Sequence, residues 1–167
     1  MDKETGTLTE PAPARPVLVA LDFSTDSEAA FLWGAKHAAL ISAPLMVLHV
    51  IHDPVENPGF YNKEGESTLL PIEDIAEEKM QDFFLNVAKA QPQLKNVQLI
   101  DRKLAIGLPA GRIVEVANNE NAQLIVMGTR GRTGLSNLLL GSVAKKVLQH
   151  ASVPVVVVKS EPSEPED

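Results

Sequence analysis

Short apolar runs alternate along this chain with longer stretches in which apolar residues recur every three or four positions, and that alternation permits little besides a parallel sheet wrapped in helices. A strand covered on both faces has no polar side to show. Val17 to Leu21, Leu45 to Val50, Val97 to Leu104, Leu124 to Met127 and Pro154 to Val158 are the five expected strands. Thr25 with Glu28 reads as a capping box opening the first helix, whose inward face is Ala30, Trp33, Gly34, His37, Ala38 and Ile41. A second helix is expected from Pro71 to Ala90, with Ile72, Ile75, Ala76, Met80, Phe83, Phe84 and Val87 inward. Pro109 suits the first turn of a third, with Ala110, Ile113, Val114 and Ala117 inward, and Ser142 to His150 forms a last one.

Strands joined by right-handed helical crossovers leave few topologies. The expectation is an α/β fold with an open parallel five-stranded sheet in the order 3-2-1-4-5 and helices on both faces. Such sheets take ligands at the carboxyl ends of the strands where the winding reverses, here beside strands one and four. The loops to inspect are therefore Asp22 to Asp26 and Gly128 to Ser142. At 167 residues the chain fits one domain, expected over residues 16–159, between a flexible N-terminal segment at 1–15 and an acidic flexible tail at 160–167. His52 to Leu70 is the longest irregular stretch, and a loop of that length is functional or mobile.

Composition removes several classes. Absence of cysteine excludes disulfides, thiolate metal sites and a cysteine nucleophile. The first residues lack a basic start followed by an apolar core, and the longest apolar runs are too short to span a bilayer, so a cytoplasmic protein without membrane insertion is expected. A net charge of −7, much of it from Glu161, Glu164, Glu166 and Asp167, disfavours nucleic acid as a partner. No two histidines among His37, His49, His52 and His150 have ligand spacing, so a protein metal site is not expected. Trp33 is expected in the core.

The stretch from Met127 to Ser142 follows a strand, opens a helix and holds glycines at 128, 131, 134 and 141. Glycine allows positive φ and close backbone approach to a ligand. The N–H groups and dipole at the start of the last helix favour an anion, Ser142 adds a hydroxyl, and Arg130 and Arg132 offer charge. A flexible connector with helix-capping residues is the bland alternative. Neither GxxxxGK[ST] nor GxGxxG is present, which argues against an ordinary P-loop or dinucleotide enzyme.

Gly128, two residues, Gly131, nine residues, Gly141 and Ser142 reproduce in full the ATP-binding pattern of the universal stress protein family. The chain resembles that family from about Pro16 to Lys159, through Asp22 and Ser24 after the first strand, His49-Val50, Gly107-Leu108-Pro109 and the run to Val158. The resemblance implies a flavodoxin-like domain, similar to the adenine-nucleotide alpha-hydrolases, that binds ATP with Mg or Mn. It implies that Val50 meets adenine through its backbone, with Ala20 and Leu21 bordering the pocket and Asp22 near the ribose or a metal-bound phosphate. Met127, Gly128 and Gly131 would line ribose and phosphates, and Gly141, Ser142 and Val143 would hold phosphates. Arg130 and Arg132 occupy variable positions. Without the resemblance, Asp22 reads as a turn or helix-start residue.

Members of the family typically dimerise, and the apolar edge from Pro154 to Val158 is the expected interface of a homodimer or dimer of dimers. The leading expectation is a nucleotide-dependent regulatory protein in stress response, acting through oligomeric state and a protein partner. The alternatives are a slow ATPase or phosphoryl-transfer enzyme, for which no base is evident, and an interaction module independent of nucleotide.

Overall fold

Four valine-, leucine- and isoleucine-rich segments and one more polar one pair side by side as parallel strands. The computed structural model describes residues 14–52, 71–96, 99–131 and 140–161. In chain order it contains β1 (Val17–Ala20), α1 (Thr25–Leu40), β2 (Leu45–Ile51), α2 (Ile72–Ala90), a 3-10 turn (Pro92–Asn96), β3 (Leu99–Ile106), α3 (Pro109–Asn119), β4 (Leu124–Gly128), α4 (Ser142–His150) and β5 (Val155–Val158). The sheet order is β3-β2-β1-β4-β5, every neighbouring pair parallel, as the alternating pattern requires. Most of the loop expected at His52 to Leu70 lies outside the described residues.

Alternation along the strands divides the core into two layers. Val17, Val19, Leu45, Val47 and Val126 face α1 and α2. Leu18, Met46, Leu48, Val50, Ile125 and Met127 face the other way, where Ile113 and Ala117 of α3 and Ala144 and Val147 of α4 cover them. Helices thus lie on both faces.

Three local expectations are corrected. The cap of α1 is Ser24, whose hydroxyl accepts the Ser27 N–H at 3.2 Å, so Thr25 is the first helical residue and the Thr25–Glu28 box is not the cap. The inner face of α1 is Ser27, Ala30, Phe31, Gly34, Ala35 and Ala38. Trp33 and Ile41 are exposed, and Trp33 stacks on His37 with ring centroids 4.9 Å apart on the helix flank. Small residues set that orientation: a Cβ on Gly34 would lie 2.7 Å from Cγ2 of Val19, so α1 rests almost directly on β1. The third strand ends two residues later than expected, running on to Ile106 until Gly107, at φ 137°, gives its N–H to the Ile51 carbonyl, while the expected start at Val97 lies outside the described residues.

Candidate functional site

At their carboxyl ends β1 and β4 turn to opposite faces of the sheet, β1 toward α1 and β4 toward α4, and a cleft of about 370 Å³ opens between the departing loops. Its floor is apolar, formed by Leu48, Val50, Met127, Ile113 and Ala144, and its rim is polar. That combination suits a ligand with a flat apolar body and a charged end.

Of the residues singled out in the sequence, Ala20, Leu21, Asp22, Val50, Met127, Gly128, Arg130, Gly131, Gly141, Ser142 and Val143 all line this cleft. Arg132 lies outside the described residues. Leu48, Ile113, Pro109, Thr129, His49 and His52 also line it, and sequence reasoning missed them as site residues. Pro109, Thr129 and His52 carried an indirect signal, because each adjoins a helix start or strand end at the face where the winding reverses. Leu48 and His49 lie inside β2 and Ile113 a turn into α3, where only the packing brings them to the cleft.

The glycines are needed for contact rather than for unusual torsion. A Cβ on Gly128 would sit 2.8 Å from the Asp26 carbonyl carbon and 2.9 Å from the Ser27 nitrogen, so this glycine lets the first turn of α1 lie against β4. On Gly131 it would meet Oδ2 of Asp22 at 3.0 Å, and on Gly141 the Thr129 carbonyl oxygen at 3.1 Å. Gly141 also donates its N–H to that oxygen at 2.7 Å, tying the start of α4 to the end of β4. Gly128, Gly131 and Gly141 lack the positive φ expected of them, Gly134 lies outside the described residues, and Gly107 has φ 137°.

Asp22 makes the local turn and also borders the cleft. Its Oδ1 accepts the Ser24 N–H at 3.0 Å and the Ser24 hydroxyl at 2.5 Å, a local turn that orients the cap of α1. Its Oδ2 faces Gly131 across the mouth of the cleft.

Asp26, two positions into α1, is nearly fully buried and gathers three separate chain segments. It accepts the Thr129 hydroxyl at 2.5 Å, the Arg130 N–H at 3.2 Å, Arg130 Nε at 3.1 Å and Nη2 at 3.3 Å, and the Ser160 N–H and hydroxyl. Burial alone would raise its pKa, but the hydrogen bonds from Arg130, Ser160 and Thr129 outweigh that and hold the carboxyl well below the usual carboxylate range. The guanidinium expected to offer charge to a ligand is thus committed first to Asp26, so Arg130 shapes the rim as much as it charges it.

The sequence profile of the universal stress protein family matches residues 13–159. The chain belongs to that family. Universal stress protein MJ0531 of Methanocaldococcus jannaschii is 37% identical over 139 residues, covering 81% of this chain and 78% of the relative. Universal stress protein Rv2005c of Mycobacterium tuberculosis is 32% identical over 166 residues, which cover 92% of this chain but only 51% of the relative, so the chain spans about half the length of that protein. Among solved structures, that of MJ0577 superposes with a TM-score of 0.65 at 26% identity over 90% of this chain and 99% of the other. A universal stress protein from Archaeoglobus fulgidus, solved in complex with dAMP, superposes with a TM-score of 0.57 at 25% identity over 87% and 98% of the two chains. For this universal stress protein, no helix among the described residues is long and apolar enough to cross a membrane.

Proposed function

We propose that this protein binds ATP in the cleft between β1 and β4 and acts as a nucleotide-dependent regulatory protein in stress response, through its oligomeric state and a protein partner. The observation that carries the reading is the joining of an apolar slot to a glycine cradle in one cleft. A flat base fits over Val50 and Met127, while Gly131, Gly141 and the N–H groups at the start of α4 let phosphates approach without meeting a Cβ. The A. fulgidus relative that holds dAMP supports the same chemical class of ligand. A Mg or Mn ion carried by the phosphates would meet Asp22, whose Oδ2 lies at the cradle. Such an ion shields phosphate charge.

Calorimetric titration tests the reading. ATP is expected to bind in the low-micromolar to sub-millimolar range and GTP more weakly, and nucleotide that co-purifies should prove to be an adenylate by mass spectrometry. No heat of binding from millimolar ATP, with or without Mg, would overturn it. A turnover assay on the same sample distinguishes a binding protein from a slow ATPase.

A further inference from the structure

β1 stops pairing with β2 at one identifiable peptide group. In a parallel ladder a residue turns its N–H and carbonyl to the same side, and residues two apart share that side. Leu21 donates its N–H to the Leu48 carbonyl at 2.8 Å, so Leu48 and Val50 both turn toward β1. Ile51, whose carbonyl accepts the Gly107 N–H at 3.1 Å, turns toward β3. Continued pairing would carry the Val50 N–H to the Leu21 carbonyl.

That carbonyl is already engaged. Nδ1 of buried His49 lies 2.7 Å from it, and because a carbonyl only accepts, Nδ1 carries the proton. Among the described residues no backbone hydrogen bond joins Val50 to Leu21. His49 reaches the carbonyl from the α1 and α2 side of the sheet, opposite the side on which Val50 lines the cleft. Phe23 braces it there, with ring centroids 4.6 Å apart. Phe23 itself has φ 63°, a left-handed conformation unusual for a bulky residue, and its ring is also edge-on to Phe83 at 6.1 Å.

We propose, resting on the reading of the cleft as an adenine-nucleotide site, that His49 is a positioning residue for base recognition. By occupying the Leu21 carbonyl it holds β1 and β2 apart and leaves the Val50 N–H and carbonyl facing the cleft. A donor and an acceptor side by side match the ring nitrogen and amino group on one edge of adenine. Guanine presents the opposite pattern at the same two positions, so the fork selects the base as well as admitting it. Without His49, Leu21 and Val50 would close the ladder by one more bond and consume the donor.

Two variants and two measurements test this. His49→Phe keeps an aromatic ring against Phe23 and removes the donor, whereas His49→Asn returns an amide N–H near the place of Nδ1. Amide hydrogen exchange needs no nucleotide: the Val50 amide should exchange readily in the wild type and be slowed by about tenfold or more in His49→Phe. Calorimetry should show ATP affinity falling about tenfold in His49→Phe, as for loss of one hydrogen bond. Inorganic tripolyphosphate should bind both proteins equally, and His49→Asn should recover most of the ATP affinity. Equal Val50 exchange in wild type and His49→Phe would overturn the proposal, as would equal losses for ATP and tripolyphosphate, which mark a general structural defect. If the wild type binds no adenine nucleotide, the reading of the cleft fails, and the Val50 exchange comparison still decides whether His49 holds the fork open.

Discussion

The Asp26 carboxylate accepts the Ser160 N–H at 3.0 Å, joining the first turn of α1 to the segment just past β5 across 134 positions of chain. Through Thr129 and Arg130 the same group also holds the end of β4. One buried charge therefore fixes the rim of the cleft and the exit of the edge strand together.

Acid should expose this junction. Asp26 titrates near 3.9 in an unfolded chain and well below that when folded. Its contribution is then complete above about pH 4 and lost as pH falls through the folded value. Asp26→Asn should destabilise the protein by about 2 kcal/mol at neutral pH, in the range for losing hydrogen bonds to a charged group, since Arg130 stays partly exposed. That gap should narrow below about pH 4. Denaturant melts at several pH values check it, and a gap constant from neutrality into acid would show that the carboxylate is not the ionised hub.

The motif glycines should separate by function. Gly128→Ala drives a methyl into the Asp26–Ser27 backbone and should cost about 1–3 kcal/mol of stability. Gly131 is exposed at the cleft mouth, so Gly131→Val should leave the melting temperature nearly unchanged and abolish ATP binding. Calorimetry beside thermal melts distinguishes the two, and wild-type ATP affinity in Gly131→Val would remove this residue from the site.

Gly34→Ala tests the packing of α1. In an exposed helix the change would stabilise, because alanine is the better helix former. Here the added methyl meets Val19 at 2.7 Å, and a net loss of about 1–2 kcal/mol is expected in chemical denaturation. A stabilised variant would mean that α1 does not lie as close to β1 as the Gly34–Val19 contact places it.

The sheet was legible because its strands are apolar enough to be covered on both sides, and α2 because Ile75, Ala76, Met80 and Val87 keep one strict face. Helix α1 was misread because apolar residues surround it: Trp33 and Ile41 fit a helical stripe as well as Phe31 and Ala35 do, and only the Gly34–Val19 contact decides which stripe turns inward. Cleft residues at strand ends and in the glycine stretch could be read from local order. Asp26 could not, since its partners lie 103 to 134 positions away and nothing near it in sequence marks it as a hub. His49 gave a similar problem, being a polar residue in an apolar strand whose partner, Leu21, lies 28 positions away.

Self-association through β5 is expected, and ladder parity says how to test it. The Pro154 and Val158 carbonyls accept from Ile125 and Thr129, so Val156 also turns its peptide toward β4 while Val155 and Val157 turn theirs to the open edge. The Val156 side chain packs against the α1 side of the core, so a charge there would disturb packing as well as pairing. Val157→Pro removes an outward N–H and spares the β4 ladder. It should shift a dimer to monomer by light scattering, and a monomeric wild type at tens of micromolar would end the idea.

Nucleotide and assembly should be coupled, because two routes join the cleft to β5. One is the short link Ala151–Pro154 after α4, whose first turn lies at the cradle. The other is Asp26, which holds Arg130 on the rim and Ser160 beyond the strand. Phosphates that fix the start of α4 and draw on Arg130 would alter the order of both ends of β5. If ATP favours one assembly, linkage requires that assembly to bind ATP more tightly by the same factor, typically worth about 1–3 kcal/mol. ATP titrated into wild type and Val157→Pro should therefore give a weaker dissociation constant for the variant. Adding Asp26→Asn should shrink the difference if the buried carboxylate carries the coupling, and leave it intact if the α4 link does. Equal constants for wild type and Val157→Pro would show that nucleotide binds without sensing the edge strand.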